Sequence, residues 1–304
     1  MSRKVLLDVD PGCDDAVALG LALASDELEV VGVTTVAGNT TVENATRNAL
    51  SVLTLFDRTD VPVAAGCGRP LANELDTAEW IHGEGGIKGE LPDPAAEPVP
   101  AEAPAFVREM AAEHGDALTV VGLGPLTNVA VALLGDPALP ERIDEVAVMG
   151  GTVHATGNRT PMAEANFHSD PAAARRVVRD ANPKIAGLNV THRAQVPPDV
   201  VDGGSAAAEA VRTWLDYYPD QVRESVGLDH AAQHDALVVA ELFADVLDYE
   251  AAPTDVVVAD GDARGAVMFD EYGLTDADRS ARVAVDVDVE RFREVLGEQL
   301  SRLI

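Results

Sequence analysis

Short apolar runs alternate with amphipathic stretches along the first part of the chain. Runs of strand length occur at 5–9, 28–36 and 61–65, and the segments 15–24 and 41–56 between them place apolar residues at helical spacing. An alternating order of strands and helices is typical of a parallel sheet covered by helices on both faces. We therefore predict an α/β fold built on one doubly wound, mainly parallel sheet.

The alternation resumes after a long loop-like segment. Residues 66–104 are rich in Gly, Pro and acidic residues, and such a segment is usually a functional rim or a linker. Beyond it the pattern predicts helices at 105–114, 171–179 and 205–224, a final helix, and strands at 117–121, 145–149, 184–190, 254–258 and 283–287. No internal repeat or domain boundary is evident, so we expect residues 1–304 to form a single domain.

The charge of the chain is strongly one-sided. There are 52 acidic and 22 basic residues, a net charge of −30, and only three lysines, Lys4, Lys88 and Lys184. Such a surface repels phosphate backbones and anionic membranes, so we expect neither a nucleic-acid nor a membrane partner. We interpret the charge as a solvation device for a salt-rich, halophilic cytoplasm, where ions screen the self-repulsion.

Cysteine content and the first residues favour a cytoplasmic protein. Cys13 and Cys67 have no metal-type spacing and are too few for a disulfide framework. The chain reaches Asp8 without a long apolar region, which speaks against a secretory leader, and no run attains the ~20 apolar residues of a membrane span.

Candidate chemistry is densest at Asp8, Asp10, Asp14 and Asp15, four carboxylates directly after the first strand. Asp8 and Asp10 share a strand face, and Asp10 ends the strand, where parallel sheets bind ligands. The helix N-terminus favours Asp14 and Asp15 by only about 0.3–1 kcal/mol each. Because close carboxylates repel one another, a bound cation is expected, and oxygen ligands suit calcium or magnesium rather than zinc or copper. Alternatively, Asp14 caps the helix and Asp10 starts the turn.

Further polar candidates follow later strands. Asn39 either caps a helix or contacts a polar ligand, and His82 lies in the Gly-rich rim, where it contacts a ligand or faces solvent. The glycines of segment 122–128 allow a main-chain carbonyl to approach a metal, although a plain turn has the same composition.

Four polar residues from later in the chain are further candidates. Glu164 and Asn166 alternate like strand residues on one face and can hold adjacent hydroxyls, or else bond neighbouring backbone. Asp235, at the start of an apolar helix, is either a simple helix N-terminal acid or a further metal ligand, with His234 beside it to deliver a proton.

These motifs together resemble the inosine-uridine preferring nucleoside hydrolase family over nearly the whole chain. The resemblance rests on their common order and spacing, and the matching positions are Asp8-Val9-Asp10-Pro11-Gly12 with Asp14-Asp15, Val36-Ala37-Gly38-Asn39, His82-Gly83 with Gly86, Gly124-Pro125-Leu126-Thr127-Asn128, Met149-Gly150-Gly151, Glu164 with Asn166, and His234-Asp235.

The resemblance implies calcium-dependent hydrolysis of the N-glycosidic bond of ribonucleosides, by an α/β enzyme assembled as a homodimer or homotetramer. The implied calcium ligands are Asp10, Asp15, Asp235 and the main-chain carbonyl of Leu123. The implied ribose contacts are Asp14, Asn39, Asn158, Glu164 and Asn166, with His82 and His234 facing the base. Two departures bear on base choice: Ala236 stands where the family commonly has proline, and residues 225–232 lack the aromatic that some members place over the base.

The chemistry of the N-glycosidic bond assigns roles to two of these residues. Cleavage builds positive charge on the sugar and negative charge on the leaving base. Asp10 is the candidate base that takes a proton from the attacking water, and His234 is the candidate acid for the leaving base. Two alternatives stay open: a phosphohydrolase that uses Asp8 or Asp10, and a nucleoside- or calcium-binding protein without turnover.

Overall fold

The computed structural model describes residues 2–275 and 280–303. Within these residues the strands are β1 Arg3–Val9, β2 Leu28–Thr35, β3 Val63–Ala65, β4 Leu118–Gly122, β5 Glu145–Met149, β6 Lys184–Ala186, β7 Leu247–Val256, β8 Val267–Phe269 and β9 Ser280–Val287. The α-helices are α1 Cys13–Ala24, α2 Val42–Leu55, α3 Glu79–His82, α4 Ala103–His114, α5 Thr127–Gly135, α6 Ala165–Ser169, α7 Pro171–Ala181, α8 Leu188–Thr191, α9 Ala206–Leu215, α10 Asp220–Val226, α11 His234–Ala244 and α12 Val289–Leu303.

The strands form one sheet in the order β3-β2-β1-β4-β5-β6-β9-β7-β8. Strands β1 to β6 and β9 run parallel, whereas β7 is antiparallel to both of its neighbours. Because β1 pairs with β2 on one side and β4 on the other, the chain reverses its direction of travel across the sheet at β1. Ligands of open α/β sheets bind at such a reversal point. The predicted doubly wound, mainly parallel sheet is confirmed.

Alternate residues of the strands contribute side chains to two hydrophobic cores, one on each face of the sheet. In β1, Val5, Leu7 and Val9 pack with α1, α9, α11 and α12, while Leu6 joins the core under α4, α5 and α7. The strands are apolar on both faces because both faces are covered.

Helix α1 is buried over almost its whole length. Its residues from Cys13 to Leu23 are all buried, and the small side chains Ala16, Ala18 and Gly20 let it pack closely against α9, α11 and α12. Its first turn follows β1 directly, so the acidic side chains of that turn are held at the carboxyl end of the central strand.

Three predicted elements were wrong in extent. The strand predicted at 254–258 is the end of β7, which begins at Leu247 and ends at Val256. The predicted strand 184–190 ends at Ala186, because Gly187 turns the chain and Leu188 N–H donates to the Gly151 carbonyl at 3.0 Å, which starts α8. The predicted helix 205–224 is two helices, α9 and α10, since Pro219 lacks a backbone N–H and α10 starts after it.

In the described segments, each helix is too short or too polar to cross a bilayer.

Candidate active site

Four buried aspartates converge at the carboxyl end of the central strand. Asp10 follows β1, Asp14 and Asp15 lie in the first turn of α1, and Asp235 lies in the first turn of α11. Carboxylate oxygens of Asp14, Asp15 and Asp235 all lie within 4.8 Å of one another. Because α1 packs directly on α11, the two helix starts meet at one point. We call these four side chains the acidic floor.

Backbone donors and close glycines hold the acidic floor in place. Asp15 accepts hydrogen bonds from the N–H groups of Asp10, at 3.2 Å, and Gly12, at 3.0 Å. The Asn39 N–H donates to Asp10 Oδ2 at 2.6 Å. A Cβ atom at Gly38 or Gly124 would clash with an Asp10 carboxylate oxygen, which explains why glycine occupies both positions.

Burial raises the pKa of every carboxyl group in the acidic floor. For Asp14 the pKa is raised to about 8, first by burial and then by the charge of Asp15. The pKa values of Asp10 and Asp235 are raised well above the usual range by burial and by the neighbouring aspartates. The cluster therefore resists full ionisation without a compensating positive charge.

The donor chemistry of the acidic floor suits a hard divalent cation. Carboxylate oxygens converge from two helix starts, and Asp14 Oδ1 is buried without a hydrogen-bond partner in the described part of the chain. Hard cations such as calcium and magnesium prefer this kind of oxygen ligand. The acidic floor could thus hold a hard divalent metal ion.

The Leu123 carbonyl lies beside the acidic floor and is held by an amide. Leu123 follows β4 and its N–H donates to the Asp8 carbonyl at 2.8 Å, which fixes it next to the end of β1. Asn166 Nδ2 donates to the Leu123 carbonyl at 2.7 Å. A carbonyl oxygen has a second lone pair, so this bond leaves one for a further partner.

Glu164 and Asn166 do not alternate along a strand, and that local prediction was wrong. Glu164 is the N-cap of the short helix α6, and its carboxylate accepts hydrogen bonds from the Asn166 and Phe167 N–H groups and from Gly151 N–H. The second residue after an N-cap lies in the first helical turn, so both side chains still lie at one helix start. Burial raises the pKa of Glu164.

A cavity of about 680 Å³ opens above the acidic floor. Of the predicted site residues, Asp10, Asn39, Asn158 and Asn166 line it. The others lie behind this lining and are Asp14, Asp15, His82, Leu123, Glu164, His234 and Asp235. The structure therefore gathers most of the predicted residues around one cavity, but the two histidines are covered by other side chains.

His234 is held between two hydroxyl groups. Its Nδ1 lies 2.7 Å from Thr191 Oγ1, and its Nε2 lies 2.6 Å from the hydroxyl of Tyr218. Burial, followed by the charges of two other histidines, lowers the pKa of His234 well below its usual value. Tyr218, unlike His234, lines the cavity.

His82 is buried against the turn that precedes α1. Its Nδ1 accepts a hydrogen bond from Cys13 N–H at 3.2 Å, and its ring stacks on Tyr217 with centroids 5.2 Å apart. Burial, followed by the charge of Lys88, lowers the pKa of His82 to about 3. A Cβ at Gly12 would lie 2.7 Å from the same Nδ1, so glycine is needed there.

The family model described as inosine-uridine preferring nucleoside hydrolase matches residues 5–294. The chain belongs to this nucleoside hydrolase family. The pyrimidine-specific ribonucleoside hydrolases RihA of Photobacterium profundum and of Escherichia coli O9:H4 are each 39% identical to it, over 99% of both chains. The resemblance noted from the motifs is confirmed.

Solved nucleoside hydrolases share the fold over its full extent. A plant nucleoside hydrolase superposes with a TM-score of 0.89 at 31% identity, covering 99% of both chains. A purine-preferring ribonucleoside hydrolase from Gardnerella vaginalis superposes with a TM-score of 0.88 at 30% identity, covering 99% of this chain and 98% of the other. The chain is accordingly an N-ribosyl hydrolase.

Sequence reasoning missed three residues of this nucleoside hydrolase site. Tyr218 and His192 line the cavity beside His234, and Thr191 bonds the far side of the His234 ring. The rings of His192 and His234 lie 5.6 Å apart. No local pattern marks these residues, because they meet His234 only through tertiary contacts between segments that are distant in the sequence.

Proposed function

We propose that this chain hydrolyses the N-glycosidic bond of ribonucleosides, releasing ribose and the free base, with calcium held by Asp10, Asp15, Asp235 and the Leu123 carbonyl. The observation that carries the proposal is the acidic floor, which joins carboxylates from the first strand, the first helix and α11 beneath a cavity of nucleoside size. When bound, calcium would supply positive charge that orients the ribose hydroxyls and polarises a nearby water.

Asp10 acts as the general base in this proposal. Its carboxylate reaches both the acidic floor and the cavity, and the Asn39 N–H donor at 2.6 Å fixes its orientation. Burial raises its pKa, which makes the ionised form a stronger proton acceptor. We infer that Asp10 takes the proton of the attacking water as the bond to the base breaks.

Amides and carboxylates hold the ribose. Asn39, Asn158 and Asn166 present groups that both donate and accept hydrogen bonds, as hydroxyls require. Asp14 and Glu164 lie just behind them, and Asp14 Oδ1 has no partner among the described residues. Fixing the sugar in this way aligns the anomeric carbon with Asp10, and orientation of this kind removes part of the barrier.

Proton delivery to the leaving base passes through the pair of Tyr218 and His234. Tyr218 lines the cavity, and its hydroxyl lies 2.6 Å from His234 Nε2. In this relay Tyr218 gives its proton to the leaving base and takes one from His234, and solvent returns a proton to His234 while it removes the one that Asp10 took from the attacking water. His234 is therefore the acid of the proposal, acting through Tyr218, and His82 supports the floor from its other side.

One relative is named pyrimidine-specific and another purine-preferring, so the test uses both purine and pyrimidine nucleosides. Purified protein is incubated at high salt with inosine, adenosine, uridine and cytidine, with calcium or with a calcium chelator, and free base and reducing sugar are measured. We expect base and ribose in equal amounts with calcium and neither after chelation. Release of no base from any nucleoside in the presence of calcium would contradict the proposal.

The Asp10→Asn variant is the matched control for contaminating hydrolases. It keeps the size of the side chain and removes the proposed base, so base release by this variant at the wild-type rate would point to another enzyme in the preparation.

A further inference from the structure

One wall of the cavity carries three groups that can bear positive charge. Arg159, His168 and Arg264 all line it, in a chain with 52 acidic and only 22 basic residues. Arg264 Nη2 lies 3.0 Å from His168 Nε2. Burial and then the charges of Arg264 and Arg159 lower the pKa of His168, so the positive charges of both arginines are felt at the His168 ring. We call these three residues the cationic wall.

Arg264 is brought to the cavity by the turn between β7 and β8. Gly265 N–H donates to the Val257 carbonyl at 2.8 Å and closes the turn. A Cβ at Gly265, where φ is +83°, would lie 2.6 Å from His168 Cα, so glycine lets the turn approach α6 closely. Thr160 Oγ1 donates to the Asp262 carbonyl at 3.2 Å, which ties the turn to the loop that carries Arg159.

The Arg264 guanidinium keeps unused donors. It pairs with no carboxylate in residues 2–275 and 280–303, and its Nε is buried without a hydrogen-bond partner there. Arg159 pairs with Asp76, so the charge of one acidic side chain of the cavity lining is offset. Glu74, which also lines the cavity, is exposed, so salt screens its charge.

The cationic wall adjoins the residues proposed to hold ribose. Arg159 follows Asn158, and His168 shares the short helix α6 with Asn166. An anionic group cannot lie against the acidic floor, because like charges repel there. On a ribose held by its ring hydroxyls, the 5′ oxygen is the position from which a charged substituent can extend away from the floor and from the base.

We infer that the cationic wall binds a phosphate on the 5′ oxygen, so that the chain cleaves ribonucleoside 5′-monophosphates in addition to ribonucleosides. This inference rests on the proposed function. Water adds to the anomeric carbon, the base leaves with a proton, and the products are ribose 5-phosphate and the free base, while the phosphate ester stays intact. Arginine suits this role because its planar fork donates two hydrogen bonds to one phosphate.

High salt makes such a subsite compatible with a net charge of −30. At molar salt the screening length is only about 3 Å, so the distant acidic surface contributes little to the energy of a bound phosphate. Contacts within hydrogen-bond distance, namely the guanidinium groups of Arg159 and Arg264, then decide whether the phosphate binds.

The test compares uridine with uridine 5′-monophosphate at high salt, with free base, ribose 5-phosphate and inorganic phosphate all measured. We expect base and ribose 5-phosphate from the nucleotide, without release of phosphate. In Arg264→Gln we expect kcat/KM for the nucleotide to fall about 10-fold or more relative to that for uridine, the range for a hydrogen bond to a charged group. Arg69→Gln, which removes the same charge from an exposed position outside the cavity, should change neither.

Calorimetric titration of the wild type with ribose 5-phosphate and with ribose gives a second readout that needs no turnover. We expect tighter binding of ribose 5-phosphate in the wild type and loss of that preference in Arg264→Gln. Cleavage of uridine but not of its monophosphate, together with equal binding of the two sugars, would overturn the subsite and leave the proposed function standing. Equal losses on both substrates in Arg264→Gln would also overturn it, whereas failure to cleave either substrate would refute the proposed function itself.

Discussion

Replacing Asp235 with asparagine separates the electrostatic repulsion within the acidic floor from its proposed role in metal binding. Carboxylate oxygens of Asp235, Asp14 and Asp15 lie within 4.8 Å of one another. At an effective dielectric constant of about 20, two unit charges at this distance repel by about 3 kcal/mol. Because burial and the neighbouring aspartates raise the pKa of Asp235 well above its usual value, the metal-free cluster keeps part of its protons, and these protons reduce the repulsion that each pair would have at full charge.

The amide introduced by Asp235→Asn would keep the shape of the side chain and donate a hydrogen bond to Asp15. The native Asp235 carboxyl can donate this hydrogen bond only when it is protonated. In the presence of chelator we therefore expect Asp235→Asn to be more stable than the wild type by up to about 3 kcal/mol, a rise in Tm of roughly 5 °C. With calcium at about 1,000 times its Kd the order should reverse, because the ligand then stabilises the wild type by about 4.1 kcal/mol, which exceeds this difference, whereas the variant lacks one of the proposed ligands.

Thermal unfolding by circular dichroism at constant high salt, with calcium or with chelator, measures both effects. The control is Asp229→Asn, an exposed aspartate shortly before α11, which should shift neither curve. A chelated Asp235→Asn variant that melts at or below the chelated wild type would refute the argument that repulsion is stored among these carboxylates.

Three further predictions follow from the site and the surface. Asp10→Asn should lower kcat by about 10²-fold or more on any nucleoside that the wild type cleaves, and full activity in steady-state assays would exclude Asp10 as the base. His234→Ala should slow uridine, which has a poor leaving group, more than a nitrophenyl riboside whose leaving group needs no proton; equal losses would remove His234 as the acid. The Tm of the wild type should fall as salt is lowered from molar to about 0.1 M, because the screening length grows to about 10 Å and the surface charge of −30 repels itself, and a Tm indifferent to salt would contradict the halophilic interpretation.

Three of the four side chains of the acidic floor could be predicted, because they lie close together in the sequence. Asp10, Asp14 and Asp15 lie in a strand end, a turn and a helix start, so their relative positions follow from strand and helix geometry. The placement of Asp235 required knowing that α11 packs on α1, which no local pattern shows. Only the family's motif order supplied that link.

Other parts of the site depend on packing that the sequence pattern does not record. The alternation of Glu164 and Asn166 was interpreted as a strand, since two residues cannot separate a period of 2 from a helix start and glutamate is not a favoured N-cap. Arg264 lies in a stretch that showed no chemistry in the sequence, and only the turn between β7 and β8 brings it to α6. Tyr218 and Thr191 likewise gain their roles from contact with His234.

The positions of α1 and α11 explain how the fold tolerates the acidic floor. Both helices begin at the floor, so the partial positive charges of their N-termini face the same carboxylates, and each offsets about 0.3–1 kcal/mol per acid, up to about 2 when partly buried. That is less than the repulsion of even one pair at full charge, so the helix ends lower the cost without removing it. The remainder can be relieved by protons or by a cation, and only the cation leaves Asp10 ionised as a base. Stability and catalysis are therefore opposed at Asp235, because the substitution that stabilises the metal-free protein also removes a proposed calcium ligand.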